Sequence, residues 1–368
     1  MRVIQLVQKP QLRGAEIFAS QLSNHLQKSG VDVHLISVFT GASELPFHGK
    51  TSHLNRPIGK RLWDLKGWKT FAKIVESERP DIIQANAGDT LKFAILSKLI
   101  YKWDTPVVFR NANKMGDFID TKPKFLLNSL FVNRVEAVVS VSQLCEQDFV
   151  NTFNFHASKI KTIPIGVEDQ KVPSLPPDDL RAIFEQYKVL VNIGSLVPEK
   201  NHAALLNIFE AIAQKDPAVF LIIIGDGPLR TELENEVSRL SCKNRILFAG
   251  YRNDVLQTLK HSTAFLMPSL IEGLPGVILE AMYCETPVIA NNVGGISEVV
   301  NSQTGWLIDK GNTSAFINAV MEVLDGGEKV SYKIVNAHQL VISEYMNSKI
   351  AMRFKEAYEH IIAGKSLS

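Results

Sequence analysis

The chain has 368 residues, 45 % of them hydrophobic and 21 % charged, and a formal net charge of +2. That length suits two domains of ordinary size, the composition is that of a folded globular protein, and the near-neutral balance removes any whole-chain electrostatic case for nucleic acid. Cys145, Cys242 and Cys284 are scattered in apolar surroundings, so they read as buried thiols of a reducing compartment and not as a disulfide frame or a zinc site.

Residues 3–7 form a first apolar strand, 8–14 a loop, 15–28 a helix closed by Gly30, and 31–38 a second strand. Such a β-loop-α-β opening starts a doubly wound sheet, in which ligands bind beyond the carboxyl ends of the strands. The dinucleotide fingerprint Gly-x-Gly-x-x-Gly is absent. Residues 39–60 are polar and irregular, a loop long enough to suspect function. Helix and strand then alternate to residue 163, which describes one parallel sheet covered on both faces. Residues 84–88 and 109–114 lie just past strand ends, which makes Asn86 and Asn111 candidates for an acceptor. Residues 60–134 hold 14 Lys and Arg against 8 Asp and Glu, with Trp63 and Trp68 among them. This reads either as a solvated helical face or as a surface for anionic lipid headgroups.

Pro173, Pro176 and Pro177 mark a linker, after which the strand–helix pattern restarts. Gly194-Ser-Leu-Val-Pro-Glu-Lys200 follows a strand over 188–193 and places a lysine near a helix start, suited to a diphosphate. Gly225-Asp-Gly-Pro-Leu229 is another strand-to-helix turn, and Gly250-Tyr-Arg-Asn-Asp254 follows the next strand. Residues 263–267 are a short apolar strand leading into Pro268-Ser-Leu-Ile-Glu-Gly-Leu-Pro-Gly-Val-Ile-Leu-Glu-Ala-Met282. Pro275 fits the first turn of the helix that follows, where a missing N–H is no loss. Unpaired amides and the positive end of the helix dipole then favour a phosphate there. Glu272 and Glu280 flank that position, where carboxylates are tolerated if they accept hydrogen bonds from hydroxyls.

Glu-x7-Glu carried on strand, loop and helix with Glu-Gly-Leu-Pro resembles the donor-binding signature of the retaining glycosyltransferases of family four. The resemblance implies the α/β GT-B fold, two doubly wound parallel-sheet, Rossmann-like domains facing each other across a cleft. Residues 1–167 would be the acceptor-side domain, with helix 345–363 packing back on it, and 168–344 the donor-binding domain. It implies catalytic roles for Glu272 and Lys200. Nucleotide-sugar contacts would come from Gly14, Ser195, Gly225, Tyr251, Arg252, Gly273, Leu274, Pro275 and Glu280, and acceptor contacts from Asn111 and Asn86.

Three positions depart from the family pattern. Ser195 stands where an arginine is usual, Arg13 where the first loop usually has a glycine, and Asn111 where a histidine is common. Either donor binding is weaker for it, or another cation such as Arg13 or Arg252 makes up the missing charge. The implied activity is retaining transfer from a UDP- or GDP-sugar co-substrate to a saccharide or lipid-linked acceptor, in envelope polysaccharide synthesis. A nucleotide-sugar 2-epimerase and an inactive nucleotide-sugar binding protein are the alternatives. No Asp-x-Asp tract is present, so neither a metal nor a permanently bound cofactor is expected. No run approaches the ~20 apolar residues of a spanning helix, and residues 1–7 are too short for a signal peptide. A cytoplasmic protein is expected, one that touches the inner membrane peripherally if residues 60–134 face lipid.

Overall fold

The computed structural model describes residues 1–12 and 14–367. The chain divides into two compact units, residues 1–168 with 346–368, and residues 169–345.

In the first unit the elements run β1 (Arg2–Val7), α1 (Gly14–Lys28), β2 (Asp32–Phe39), β3 (Lys50–Arg56), α2 (Leu65–Glu78), β4 (Ile82–Ala85), α3 (Gly88–Tyr101) and β5 (Val107–Asn111). They continue with α4 (Lys122–Val132), β6 (Ala137–Ser140), α5 (Gln143–Phe153) and β7 (Ile160–Thr162). The seven strands pair in the order β3-β2-β1-β4-β5-β6-β7, every neighbour parallel. Strand period sets the two faces: Val3 and Val7 join the core under α1, while Ile4 and Leu6 join the core under α2 to α5.

The expectation of an irregular loop over residues 39–60 is corrected by β3. Its sequence, Lys-Thr-Ser-His-Leu-Asn-Arg, is polar because it is an edge strand whose side chains are exposed or only half-buried. Trp68 is also corrected: it is buried in the core with Phe71, and only Trp63 of the two tryptophans faces solvent.

The second unit contains α6 (Arg181–Gln186), β8 (Lys188–Ile193), α7 (His202–Lys215), β9 (Val219–Ile224), α8 (Arg230–Val237), β10 (Ile246–Gly250), α9 (Val255–His261) and β11 (Ala264–Met267). After these come α10 (Gly276–Tyr283), β12 (Val288–Asn291), β13 (Trp306–Ile308), α11 (Thr313–Asp325) and α12 (Glu328–Glu344). Strand order is β10-β9-β8-β11-β12-β13, again parallel throughout. Residues 294–298 form a short 3-10 helix.

The last helix, α13 (Asn347–Ile362), belongs to the first unit. Its Phe354 packs on Phe18 of α1 with ring centres 6.1 Å apart. One turn later Tyr358 closes a buried ring of hydrogen bonds across β1 and β4. Gln5 Nε2 donates to Tyr358 Oη (3.0 Å) and Tyr358 Oη to Gln84 Oε1 (2.6 Å). Gln84 Nε2 donates to Asn86 Oδ1 (3.0 Å), and Asn86 Nδ2 returns to Gln5 Oε1 (2.9 Å).

Candidate active site

Each sheet has one place where the strand order reverses, and in open α/β sheets ligands bind beyond the strand ends at that place. In the second unit it lies between β8 and β11, whose following loops are Gly194–Lys200 and Pro268–Pro275. Lys200 Nζ and Glu272 Oε1 meet there at 2.5 Å, with Glu272 buried and Lys200 about one-fifth exposed.

Three asparagines brace β11 and the Glu272 loop that follows it. Asn192, at the end of β8, donates to Leu266 O (2.7 Å). Asn201 and Asn291 both donate to Pro268 O, at 3.0 and 2.9 Å, and Asn291 also reaches Ser269 O. Leu270 N adds a bond to Glu199 O at 2.8 Å, tying the two loops together directly. The sequence reading missed all three asparagines. Their only signal was an amide near the end of a strand, as in Asn192 of β8 and Asn291 of β12, or just before a helix, as in Asn201 before α7.

Glycines supply the close approaches. Gly294 has φ +54°, and a Cβ there would lie 1.9 Å from Glu272 O. Its neighbour Gly295 donates its N–H to Gly273 O at 2.5 Å. Gly225, at φ +132°, lies so close to Gly194 that an added Cβ would sit 2.0 Å from that carbonyl oxygen. Gly225 therefore shapes the Lys200 loop by backbone proximity.

Gly273 and Leu274 are buried, and Pro275 leads into α10 in an extended conformation. Among the described residues, no acceptor takes the backbone N–H of Gly273, Leu274, Gly276 or Val277. Such a helix start attracts anions. One turn on, the Glu280 side chain keeps partial solvent access but receives no hydrogen bond among the described residues. The protein packed around it removes most of its hydration, and that desolvation pushes its carboxyl up to about 7.

His202 sits two residues past Lys200, at the first position of α7. It is buried with neither ring nitrogen partnered. Burial, aided by the charge of Lys200, pushes it down to about 4, so it is neutral and adds no second cation beside the lysine.

The remaining predicted residues lie further out. Ser195 is half-buried in the loop after β8, where its carbonyl accepts from Val197 N. Tyr251 is exposed in the loop after β10, two strands from β8 and so about 10 Å away by strand spacing. Arg252, a candidate to make up the missing charge, is held by two carboxylates. Its guanidinium is taken by Asp179 (2.6 and 2.9 Å) and Asp254 (2.8 and 2.6 Å), which raise its pKa in that order. Arg13, the other candidate, lies outside the described residues.

In the first unit Gly14 is the exposed first residue of α1. Asn86 is buried with its amide committed to the four-residue ring and to Leu6 O. Asn111 is buried at the end of β5, where it donates to Ser140 Oγ and Cys145 O, both at 3.2 Å, while its own Oδ1 has no partner. Among the described residues, no helix is long and apolar enough to cross a membrane.

The family described as Glycosyltransferase Family 4 matches residues 12–171, and that described as Glycosyl transferases group 1 matches residues 179–339. The chain belongs to the glycosyltransferases of family four. Among curated relatives of this glycosyltransferase is the Escherichia coli UDP-Gal:alpha-D-GlcNAc-diphosphoundecaprenol alpha-1,3-galactosyltransferase, 26 % identical over 82 % of this chain and 81 % of that protein. An uncharacterised glycosyltransferase of Methanocaldococcus jannaschii is 27 % identical over 94 % of each chain. A crystal structure of HepE from Anabaena in complex with UDP and glucose superposes with a TM-score of 0.84. It covers 97 % of this chain and 99 % of that one, at 20 % identity. That likeness shows the fold: two Rossmann-like parallel-sheet domains of the GT-B type.

Proposed function

We propose that this glycosyltransferase moves a sugar from a nucleoside-diphosphate sugar to a saccharide or lipid-linked acceptor with retention of configuration at the anomeric carbon. The observation that carries the reading is the Lys200–Glu272 pair at the β8/β11 reversal, next to the unpaired amides at the start of α10. The relatives support the rest. One uses UDP-galactose and a diphosphoundecaprenol-linked acceptor, and the structural neighbour holds UDP and glucose.

In this reading the α10 amides and Lys200 receive the diphosphate as negative charge builds on it, a use of fixed positive charge. Glu280 accepts hydrogen bonds from the ribose hydroxyls. Glu272 accepts from hydroxyls of the sugar being moved and fixes the anomeric carbon against the acceptor. The bond from that carbon to the diphosphate oxygen breaks, and the acceptor oxygen bonds to the same face. The acceptor proton passes to the departing diphosphate. Gly14, Ser195, Gly225, Tyr251, Gly273, Leu274 and Pro275 shape the donor's surroundings, and Asn111 stands on the acceptor side. The envelope is where such an acceptor is used, with transfer on the cytoplasmic face.

The test is transfer from a panel of UDP- and GDP-sugars to a diphosphoprenyl-linked saccharide, with the product's anomeric configuration read by NMR. We expect one nucleotide family to support turnover, retention in the product, and unchanged rates in EDTA. An inverted product would overturn the retaining mechanism. Epimerised donor without any acceptor would replace transfer by epimerisation.

A further inference from the structure

We propose that Arg110 is an anion receptor of the first unit, and that the acceptor it selects carries a carboxylate or a phosphate. Arg110 is the last residue but one of β5. Strand period puts its side chain on the face of Val108, which packs into the core with α1 and α13. The residue is 3 % exposed, and its Nε and Nη1 are buried with no hydrogen-bond partner among the described residues. A buried charge without a partner is strongly unfavourable, and proteins keep one where something else completes it. Desolvation pushes the guanidinium down to about 10, which still leaves it charged at neutral pH.

The neighbours orient the guanidinium without using its hydrogens. It lies over the ring of Phe18, 4.3 Å from the ring centre, and Phe18 in turn packs on Phe354. Two ionisable groups act on it from further away, Tyr358 of α13 and Glu16 of α1. The Tyr358 hydroxyl is committed to Gln5 and Gln84. Glu16 Oε1 accepts from Gln11 Nε2 at 2.9 Å, and Glu16 makes no ion pair with Arg110. Its charge offsets part of the cation's field and leaves the N–H groups open.

Those open N–H groups select the ligand. A planar guanidinium matches a carboxylate or a phosphate with two parallel hydrogen bonds, whereas a sugar hydroxyl meets one N–H and leaves the charge unneutralised. Position agrees with this. The strand order of the first sheet reverses between β1 and β4, and β5 lies next to β4, so Arg110 stands at the strand ends where that sheet's ligands bind. The next residue, Asn111, turns to the opposite face, toward Ser140 and Cys145. Of the two, only Arg110 brings a charge.

The inference rests on the reading of the first unit as the acceptor side, but its test needs no transfer. Binding of three probes would be measured by titration calorimetry: hexyl glucoside, which is neutral, hexyl glucuronide, which carries a carboxylate, and glucosyl hexyl phosphate. The wild type should take one of the charged probes about tenfold or more tighter than the neutral one. The preferred probe separates an acidic sugar from a phosphate-linked lipid as the source of the anion. Arg110→Met should lose the preference and melt no lower than the wild type, because it removes an unpaired buried charge. Arg110→Lys should keep part of the preference, having the charge without the fork. A wild type that binds all three probes equally, or none, would overturn the proposal, as would a preference that survives in Arg110→Met. Variants that both melt several degrees below the wild type would make Arg110 a structural group satisfied by buried water, and would overturn it as well. None of these results bears on glycosyl transfer itself, which is read from product.

Discussion

Lys200 Nζ lies 2.5 Å from Glu272 Oε1, joining the loop after β8 to the loop after β11. With no donor bound, each residue neutralises the other. In the proposed mechanism a diphosphate takes Lys200, and Glu272 is released toward sugar hydroxyls. Alanine at either position should lower kcat/KM by about 10²–10³-fold, the cost of losing one fixed charge at a reacting centre. The double variant should be little worse than either single one, because the two act as a unit. Steady-state kinetics on all three decide it, and rates near wild type in either single variant would remove the pair from the mechanism.

Gly294→Ala should disturb Glu272 without touching substrate. The new methyl would meet Glu272 O, and φ at that position is +54°. A loss of about 1–3 kcal/mol in stability and a clear fall in turnover are expected, read by denaturant unfolding and initial rates. Gly14→Ala is the contrast, since nothing lies within 4 Å of a Cβ there. It should leave stability unchanged or slightly raised, so any loss of turnover would mark close approach to a ligand.

Asn291→Ala and Asn201→Ala each remove a donor to the Pro268 carbonyl. Each should destabilise by about 1–2 kcal/mol. The two effects should be non-additive because the acceptor is shared. If the asparagines position Glu272, kcat falls more than donor affinity. A change in stability alone would make them structural.

Glu280 gives a pH signature. Its carboxyl is raised from 4.5 to about 7 by desolvation. Between those values the folded state keeps a proton that the unfolded chain has released, so this group's contribution falls as pH rises through the window and is level above it. The stability difference between wild type and Glu280→Gln should therefore shift against the wild type from pH 5 to pH 8, by at most about 3 kcal/mol. Thermal melts at the two pH values read it. A difference that does not change with pH would mean that Glu280 is solvated as an ordinary surface carboxylate.

Parallel strands were legible in the sequence because each is a short apolar run between turn signals, as in residues 3–7 and 219–224. β3 was not, because an edge strand exposed along its length carries neither an apolar run nor a clean alternation. Lys200 and Glu272 stand out because a charged residue just past a strand end, next to glycine and proline, is a local pattern. Their meeting is not local, since 72 residues separate them and only the strand order brings them together. Pairing hid the fate of Arg252 in the same way: its sequence neighbours show Asp254 but not Asp179. The bracing asparagines were invisible for a third reason. An amide that supports a carbonyl on another strand looks in sequence like any loop asparagine.

The ring of Gln5, Asn86, Gln84 and Tyr358 has a consequence for biosynthesis. Three of its members leave the ribosome within the first hundred residues, and the fourth arrives only with the last helix. Domains generally fold in order as they emerge. Here the first domain must wait for the second to be made, holding two buried glutamines short of a partner until Tyr358 arrives. The order of synthesis and the order of completion are therefore opposite, and a chain stopped before residue 346 would carry every strand of both sheets but leave the first domain without α13.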